Sequence, residues 1–471
     1  MKKLLYFVSN SEEKFKELRK LAKGTSYDIK WFKTPVSELQ TDNIEELLKH
    51  KALSAFKKIK RPVLVDHTML EVEAFNSLPG PQTSYFFEKL GNSEIVGYCN
   101  YKKKWKANAI TCLCCCTGKK LISGKGIEEG EIVKKVDDSA VGYAWDNIFC
   151  PISNNNKRIV YAKLDKNMRS MRKKAWEELV KALDSEEIFS IEASKYRKSI
   201  EEVAELIAKK KMMLFIGAGI SASIGLPSWK TLIEKLGKSA GYDADVFLEY
   251  GDNMLLAEYS ELLGKGKLQE ILLDEWAINR NAKLKKKLED SAIYQYIMEL
   301  NCPVIYTTNF DQMIEEYYKI KNKNMHKIAV IDHFEYDEES YPRVMKFHGD
   351  SEHKESIVFT ESQYFARMDY QSFMDIQLQA DLLKYNVLFL GYSLSDINIK
   401  QLLYFSRKRW ENTKTKKYSY IYTATPNYIQ EKVFEKNNIV SISGEEADKA
   451  VATEAFLKEL CAKVNEIKQR G

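Results

Sequence analysis

Short apolar runs alternate with amphipathic segments along the whole chain. In the first part, the runs "LLYFVSN", "PVLVD" and "AITCLCCCTG" predict strands. The segments "SEEKFKELRKLAK" and "NIEELLKHKALSAFKKIK" predict helices, because their apolar residues recur at helical spacing. A charged helix, "SMRKKAWEELVKAL", closes this part. The pattern predicts a mixed α/β domain over residues 1–183.

A second domain follows a break in the apolar pattern. Residues 184–199 lack a core-like pattern, and we interpret them as a linker. Over residues 200–471 strands and helices alternate, and "MMLFIGAGIS", "NCPVIYTTNFDQ", "NVLFLGYSLSD" and "YSYIYTATP" are nearly continuous apolar runs that close on polar tips. Buried parallel strands have this pattern. We therefore predict an α/β chain whose second domain is a Rossmann-like parallel sheet.

Composition narrows the classes of partner. The 471 residues include 73 basic and 67 acidic side chains, a net charge of +6 that is too evenly spread for a nucleic-acid stripe but suits anionic small molecules. No run reaches membrane-spanning length, and the N-terminus turns polar too soon for a signal peptide. We expect a soluble cytoplasmic protein that binds neither nucleic acid nor membrane.

Eight cysteines raise the question of zinc or disulfides. Half of them lie in "TCLCCCTG", which suits a buried strand, and no pair of Cys-x-x-Cys motifs has zinc spacing. Free cysteine behaves as a small apolar residue, and a disulfide framework is improbable at this chain length. We expect buried, reduced thiols and no zinc.

The stretch "RPVLVDHTMLEVEAFNSLPGP" places two adjacent polar residues, Asp66 and His67, directly after an apolar run. The apolar pattern predicts a strand that delivers Asp66 and His67 at its end, before a proline-glycine turn. Polar groups at strand ends often bind ligands or act in catalysis. Either these two form a catalytic pair, or His67 occupies a position at which chemistry needs a second acid.

Four polar segments of the second domain, "GAGIS", "TTNFD", "HGD" and "GYSLSD", are candidates for a site. Three of them follow apolar runs directly, and open parallel sheets bind ligands at such positions. Gly217 and Gly219 would allow a tight turn that brings a pyrophosphate to a helix N-terminus. Glycine in such a turn also has a purely steric explanation, and an isolated histidine beside glycine is more often structural than catalytic.

The order and spacing of these segments resemble the sirtuin family, over about residues 200–445, which implies NAD+ binding. The resemblance implies a catalytic role for His348 and for Asn309 and Asp311, whose Asn-x-Asp element lies near the nicotinamide ribose. The implied cofactor-binding positions are Gly217, Ala218, Gly219, Ile220, Ser221, Thr308, Gly391 and Ser393.

The zinc-binding cysteine module of protein-deacylating sirtuins is missing from the sequence, which favours cleavage of the nicotinamide–ribose bond with water as acceptor. Asn309 would then orient water and ribose, and His348 would act as general base, for which the ordinary imidazole pKa is suited. Zinc-free sirtuin-like domains of this type resemble the NAD-depleting effectors of bacterial anti-phage systems.

The first domain resembles a different family. "VSNSEEKFKEL", "PVLVDHTMLEVEAFNSLPGP", "YAWDNIF" and "KNMRSMR" follow the motif order of the inosine triphosphate pyrophosphatases, which hydrolyse non-canonical purine nucleotides, over about residues 1–183. The resemblance implies a nucleotide site. Its candidate residues are Asn10, Lys14, Glu17, Asp66, His67, Tyr143, Trp145, Asp146, Phe149, Lys166, Ser170 and Arg172.

Groups for hydrolysis are less complete than groups for binding. His67 replaces the family's second acid, Met171 replaces a histidine, and a further metal-site acid falls at Gln40 unless Glu38 substitutes for it. Aromatic residues of "YAWDNIF" could stack on a purine, and basic residues could meet a triphosphate with its magnesium. The alternative is that the aromatic residues are core and the lysines are solvated.

Two functions follow as hypotheses. In the first, binding of an inosine-type triphosphate (ITP or dITP) releases NAD+ hydrolysis, and this pairing resembles the Kongming-type anti-phage systems, in which such domains cooperate with an adenosine-type deaminase. In the second, the protein is a metabolic pyrophosphatase with a regulatory sirtuin-like domain. Both families imply a homo-oligomer. The losses at positions 40 and 67 favour the first hypothesis.

Overall fold

The computed structural model describes residues 2–139, 145–152, 159–164, 170–188, 193–264, 281–336, 341–394, 396–411, 413 and 417–470. The chain forms two compact units, Met1–Ser190 and Ile191–Gly471. Each has its own sheet and its own buried apolar clusters.

The first unit is a seven-stranded mixed sheet with helices packed on it. Its strands are β1 Lys3–Val8, β2 Tyr27–Phe32, β3 Val63–Val72, β4 Pro79–Gly80, β5 Lys106–Cys116, β6 Leu121–Ile132 and β7 Phe149–Pro151. Its helices are α1 Glu12–Leu21, α2 Ile44–Ile59, α3 Thr83–Lys102 and α4 Met171–Leu183. The strand order is β2-β1-β3-β5-β6-β7, with β4 beside β3, and only the β1–β2 and β1–β3 pairs are parallel.

Strand β3 is longer than the sequence pattern predicted. Asp66 and His67 lie in its middle and not at its end, because the strand continues to Val72 in antiparallel register with β5. The prediction of a strand end here was wrong. The two side chains therefore have the fixed directions of sheet residues, with successive side chains on opposite faces.

Strand β5 carries the cysteine-rich segment. Cys112 and Cys114–Cys116 are buried, and all eight cysteines of the chain are buried free thiols. Burial raises the pKa of Cys112 to about 11 and that of Cys115 well above its usual value, so these side chains are neutral thiols at pH 7. They act as small apolar residues within the sheet, as the sequence predicted.

Close packing of β6 against α4 depends on glycine, and one substitution tests it. A Cβ added at Gly126 would lie 1.8 Å from the carbonyl oxygen of Met171. We expect Gly126→Ala to lower the free energy of unfolding by about 1–3 kcal/mol or more, because the helix must move away. Gly97→Ala is the control, since Gly97 lies in α3 with nothing within 4 Å of the added Cβ. Equal urea-unfolding midpoints for the two variants would contradict the prediction.

The second unit is a seven-stranded, fully parallel sheet. Its strands are β8 Met212–Ile216, β9 Val304–Thr307, β10 His326–Ile328, β11 Arg343–Lys346, β12 Asn386–Leu390, β13 Ser419–Tyr422 and β14 Ile439–Ile442. The described helices are α5 Ala193–Ala208, α6 Ala218–Ser223, α7 Trp229–Ser239, α8 Ala244–Leu248, α9 Asn253–Leu263, α10 Ala282–Glu289, α11 Ala292–Leu300, α12 Met313–Ile320, α13 Glu361–Ala366, α14 Phe373–Lys384, α15 Ile397–Trp410, α16 Tyr428–Lys436 and α17 Lys449–Arg470.

Strand order places the predicted motifs together. The order is β10-β11-β9-β8-β12-β13-β14, and all neighbouring strands are parallel. The chain leaves β8 toward β9 on one side and later returns to β12 on the other, so the connections change direction at β8. Ligands bind at such switch points, beyond the carboxyl ends of the strands. The Rossmann-like α/β fold predicted for this unit is confirmed.

Helix α5 begins inside the segment 184–199 that the sequence suggested as a linker. Its residues Ile200, Val203, Ala204 and Ile207 are buried in the apolar cluster of the second unit. Packing of these residues stabilises the helix, which therefore begins before residue 200, the boundary that the sequence suggested.

Within the described ranges, no helix combines the length and apolar character needed to cross a membrane.

Candidate functional site

Loops after β8 and β12 touch backbone to backbone. The amide of Gly217 donates to Leu390 O at 2.9 Å, and that of Gly219 donates to Gly391 O at 2.9 Å. A Cβ at Gly217 would come within 2.5 Å of Gly391 O, and Gly391 itself has a φ of +61°. The steric explanation accounts for these glycines. Because the Gly219 amide donates to Gly391 O, it does not point a free donor at a pyrophosphate in this structure.

The turn after β8 continues into α6 and joins the loop after β9. Asn309 Nδ2 donates to Ser221 Oγ at 3.1 Å, and Ser221 Oγ donates to Asp311 Oδ2 at 2.8 Å. Asp311 is buried and also accepts from the Met313 amide. The structure thus brings together the three predicted residues Ser221, Asn309 and Asp311. Of the other residues in the turn, Ala218 is exposed and Ile220 belongs to the apolar cluster.

His348 follows β11 and has both ring nitrogens engaged. Its Nε2 lies 2.5 Å from Asp396 Oδ2, and its Nδ1 lies 3.3 Å from Arg367 Nη1. A guanidinium can only donate, so Nδ1 accepts and Nε2–H donates to Asp396. Although burial opposes ionisation of Asp396, the hydrogen bond from His348 leaves the pKa of that carboxyl below its usual value. With 1% of its surface exposed, the histidine is closed off in this state.

Arg367 is itself anchored. Its Nη2 pairs with Asp375 at 2.6 Å, and its Nη1 donates to Phe347 O at 2.5 Å. Tyr392 lies close to both Asp396 and Thr308, and burial followed by the charge of Asp396 raises its pKa. Tyr392 therefore lies near both the loop after β9 and Asp396, the partner of His348.

The remaining predicted residue, Ser393, lies two residues after Gly391, and its carbonyl accepts from Gln430 at 3.5 Å. Sequence reasoning missed Asp396 and Arg367. Asp396 ends the quoted segment "GYSLSD", and its position as the N-cap of α15 gave a signal. Arg367 had no such signal, because it lies in a short helical turn distant in sequence from every motif.

A buried charge network forms the candidate site of the first unit. Asp66 is 2% exposed and pairs with Lys14 at 3.0 Å and Arg172 at 2.8 Å. Burial opposes its ionisation, but Lys14, Arg172 and then Lys51 hold the pKa of Asp66 far below its usual value. Asp66 is therefore a carboxylate with two cationic partners.

Glu17 extends this network. It accepts from Arg172 Nε at 2.9 Å and from Ser170 Oγ at 3.1 Å, while Ser170 also caps α4. Arg172 is 5% exposed. Of the predicted residues, Lys14 and Arg172 thus contact Asp66 directly, whereas Glu17 joins the network through Arg172 and Ser170 joins it through Glu17. Arg172 is committed to two carboxylates.

His67 faces a second ion pair. Lys51 Nζ donates to Glu38 and to the carbonyl of Asp66, the latter at 2.9 Å. Burial, and next the charge of Lys51, lowers the pKa of His67, although Glu38 acts in the opposite direction. Its Nε2 lies 3.0 Å from Pro81 O. Glu38 is therefore the acid that acts on His67, and both Glu38 and Gln40 are exposed.

Lys51 was missed from the sequence. A lysine on the buried face of α2, between Leu48 and Ala52, was an available signal.

The polar groups around Asp66 and His67 do not fit a magnesium site built from carboxylates, because Asp66 and Glu38 are paired with cations and His67 is a poor ligand for a hard cation. In the described parts of the chain, no group of three or more His, Cys, Asp or Glu could hold a metal ion.

The aromatic residues expected to stack on a purine lie in the core. Phe149 is fully buried, and its ring packs against Trp145 at 5.5 Å and Tyr161 at 6.2 Å. Asp146 is also buried. A purine would reach the Phe149 ring only after this cluster opened, so its burial favours the alternative that these aromatic residues are core.

Other predicted residues of this site have different outcomes. Asn10 is exposed in the loop that leads into α1, the helix that carries Lys14. Tyr143 and Lys166 lie outside the described residues.

Comparison with known families places both units. The Ham1 family matches residues 5–182, and the SIR2-like domain matches residues 303–442. The first range contains the Asp66 network. The second contains Asn309, His348 and Asp396, and begins after the glycine turn.

Curated relatives match one unit each. The dITP/XTP pyrophosphatase of Saccharolobus solfataricus is 28% identical over 178 residues, 38% of this chain and 92% of that protein. Inosine triphosphate pyrophosphatase 2 of Trypanosoma cruzi is 31% identical over 173 residues, 36% of this chain and 86% of that protein. NAD(+) hydrolase ThsA of Bacillus cereus is 27% identical over 229 residues, 47% of this chain and 45% of that protein, so this chain spans less than half of it. The chain therefore belongs to the Ham1 family through its N-terminal unit, and its C-terminal unit contains a SIR2-like domain.

Proposed function

We propose that the second unit hydrolyses NAD+ to nicotinamide and ADP-ribose. The observation that carries this proposal is the placement of Asn309, Asp311 and His348 beyond the carboxyl ends of β9 and β11, beside the switch point at β8. The relative named NAD(+) hydrolase ThsA supports the choice of substrate. Deacylation has no support from this site.

The chemistry asks little of the protein beyond positioning. Departure of neutral nicotinamide leaves an oxocarbenium-like ribose, and water must attack C1′ while losing a proton. Asn309, held by Ser221, would orient the ribose and the water. His348 would take the proton. Since both of its nitrogens are hydrogen-bonded in this structure, the state described here is a resting one.

The first unit is proposed to be the switch. An inosine-type triphosphate, ITP or dITP, would bind at the cations around Asp66, where Lys14 is partly exposed. The pairing of this sensor with an NADase supports a role as an anti-phage defence effector that works in the cytoplasm as a homo-oligomer. An adenosine-type deaminase is the functional partner that would supply inosine-type nucleotides.

NAD+ consumption by the purified protein tests this function directly. The protein is incubated with NAD+ and, one at a time, with ITP, dITP, ATP and GTP, and nicotinamide release is measured. Strong nicotinamide release with ITP or dITP, but not with ATP or GTP, supports the proposal. No release with any of these nucleotides contradicts it.

Pyrophosphatase activity is the second candidate, favoured by the names of the relatives of the first unit and by the position of Glu38 beside His67. His67, a poor magnesium ligand, argues against it. Wild-type protein is therefore expected to bind ITP and leave it intact over many turnovers of NAD+.

His67→Asp is expected to restore some magnesium-dependent hydrolysis, held back by Gln40 and Met171. Pyrophosphate release measured with and without magnesium checks both statements. Rapid release by the wild type would overturn the sensor proposal and establish the pyrophosphatase.

A further inference from the structure

We propose that Asp396 is a positioning residue that fixes the tautomer of His348 for the proposed NAD+ hydrolysis, with Nδ1 as the nitrogen that takes the proton. The inference rests on the proposed function. Asp396 ends the segment "GYSLSD", but the family resemblance assigned it no role.

Each oxygen of the Asp396 carboxylate has a separate task. Oδ1 accepts from the amides of Asn398 at 2.9 Å and Ile399 at 3.3 Å, and so caps α15. Oδ2 accepts from His348 Nε2. The cap fixes the carboxylate on the rigid end of a helix, and the carboxylate in turn fixes the ring.

On the opposite side of the ring, Arg367 occupies the lone pair of Nδ1 at 3.3 Å. This contact is longer than the Asp396 contact, and Arg367 keeps Asp375 and Phe347 O as partners without it. Nδ1 is thus the nitrogen that is freed at smaller cost. Activation would move Arg367 away from it, while Asp396 stays in place.

The proposed step balances in atoms and charge. The bond from C1′ of the ribose to nicotinamide breaks, and its electron pair leaves with nicotinamide as a neutral molecule. A water oxygen bonds to C1′, and one water proton passes to Nδ1. The imidazolium that results lies against the negative Asp396, which stabilises it, as a buried carboxylate does for histidine in other hydrolases.

Asparagine at position 396 separates the cap from the charge. Its Oδ1 can keep both helix amides, but its Nδ2 then points a donor at the donor Nε2–H of His348. If the ring changes tautomer to accept from Nδ2, Nδ1–H meets the N–H of Arg367 instead. No arrangement of the three side chains satisfies all donors. The variant therefore keeps the N-cap of α15 but no longer fixes the position of the His348 ring.

The experiment compares Asp396→Asn with wild type in nicotinamide release, triggered by ITP or dITP over a range of NAD+ concentrations. We expect kcat to fall about 10²-fold or more, with KM for NAD+ changed less than about threefold. Asp252→Asn is the control, since Asp252 caps α9 in the same way without touching His348. It should keep wild-type kcat.

A merely structural role would raise KM or change both variants alike, and either result overturns the proposal. Unchanged activity of Asp396→Asn also overturns the proposal. Higher activity overturns it too, because Asp396 would then hold His348 in the inactive state. If the wild type hydrolyses NAD+ and Asp396→Asn gives one of these contradicting results, the proposed function still stands and only the role of Asp396 fails. An inactive wild type with every triphosphate overturns the function and this inference together.

Discussion

His348→Ala is expected to lower triggered NAD+ hydrolysis by about 10²–10⁴-fold, the usual cost of removing a general base. Asn309→Ala is expected to act similarly, because Asn309, which donates to Ser221, is proposed to orient the ribose and the water. Nicotinamide release in the presence of ITP or dITP measures both.

The control for this pair is His333→Ala. His333 belongs to the same unit and accepts from the Ala329 amide, and none of its described contacts is with the site residues. It should retain hydrolysis. All three variants should still fold, and their triphosphate binding should be unchanged. Near-normal NAD+ loss in both His348→Ala and Asn309→Ala would remove these residues from the catalytic centre.

The second large effect concerns the trigger. A cell cannot tolerate constant NAD+ hydrolysis, so the resting protein must be mostly inactive, and a ligand shifts this balance only by binding the active state more tightly. A shift from about 1% to 99% active requires roughly 10⁴-fold preference, or about 5.5 kcal/mol. Charge-assisted contacts of a triphosphate with the cations near Asp66 are of the right strength to contribute to that preference.

We therefore expect Lys14→Ala to abolish triggered NAD+ loss, and inosine-type triphosphates to trigger far better than ATP. Lys14 is the partly exposed cation of the Asp66 network, 3.0 Å from that carboxylate. Lys166→Ala is expected to have the same effect. NAD+ loss with and without nucleotide, together with titration of ITP binding, measures the change.

Lys16→Ala serves as the matched control, because Lys16 lies on the same helix α1 and pairs only with the exposed Glu12 among its described ion pairs. It should trigger normally. A rate that is identical with and without any triphosphate would refute the switch. So would a rate that is unchanged when residues 1–183 are deleted.

Much of the fold could be predicted from local pattern. The runs assigned to β1, β5, β8, β9, β12 and β13 are strands, and the amphipathic segments assigned to α1, α2 and α4 are helices. Periodicity decides these elements, because burial of one face requires it. The two family resemblances, drawn from short motifs, are confirmed by the family matches.

Pairings between distant residues could not be predicted in this way. Arg172 and Asp66 are 106 positions apart, and His348 and Asp396 are 48 apart. Nothing local in "KNMRSMR" indicates that its second arginine, Arg172, neutralises two carboxylates of other segments. The full burial of Phe149 likewise depends on Trp145 and Tyr161 closing around it.

The sequence by itself determined that polar groups follow the parallel strands of the second unit, since the apolar runs end where Gly217, Thr307 and Gly391 begin the polar tips. Strand order then brings these tips together, because parallel strands share one carboxyl edge. Only the tertiary structure decided the state of the site. The hydrogen bonds of His348 are set by Asp396 and Arg367, which reach the ring from separate helical segments, and such contacts depend on packing across the sheet and not on local propensity.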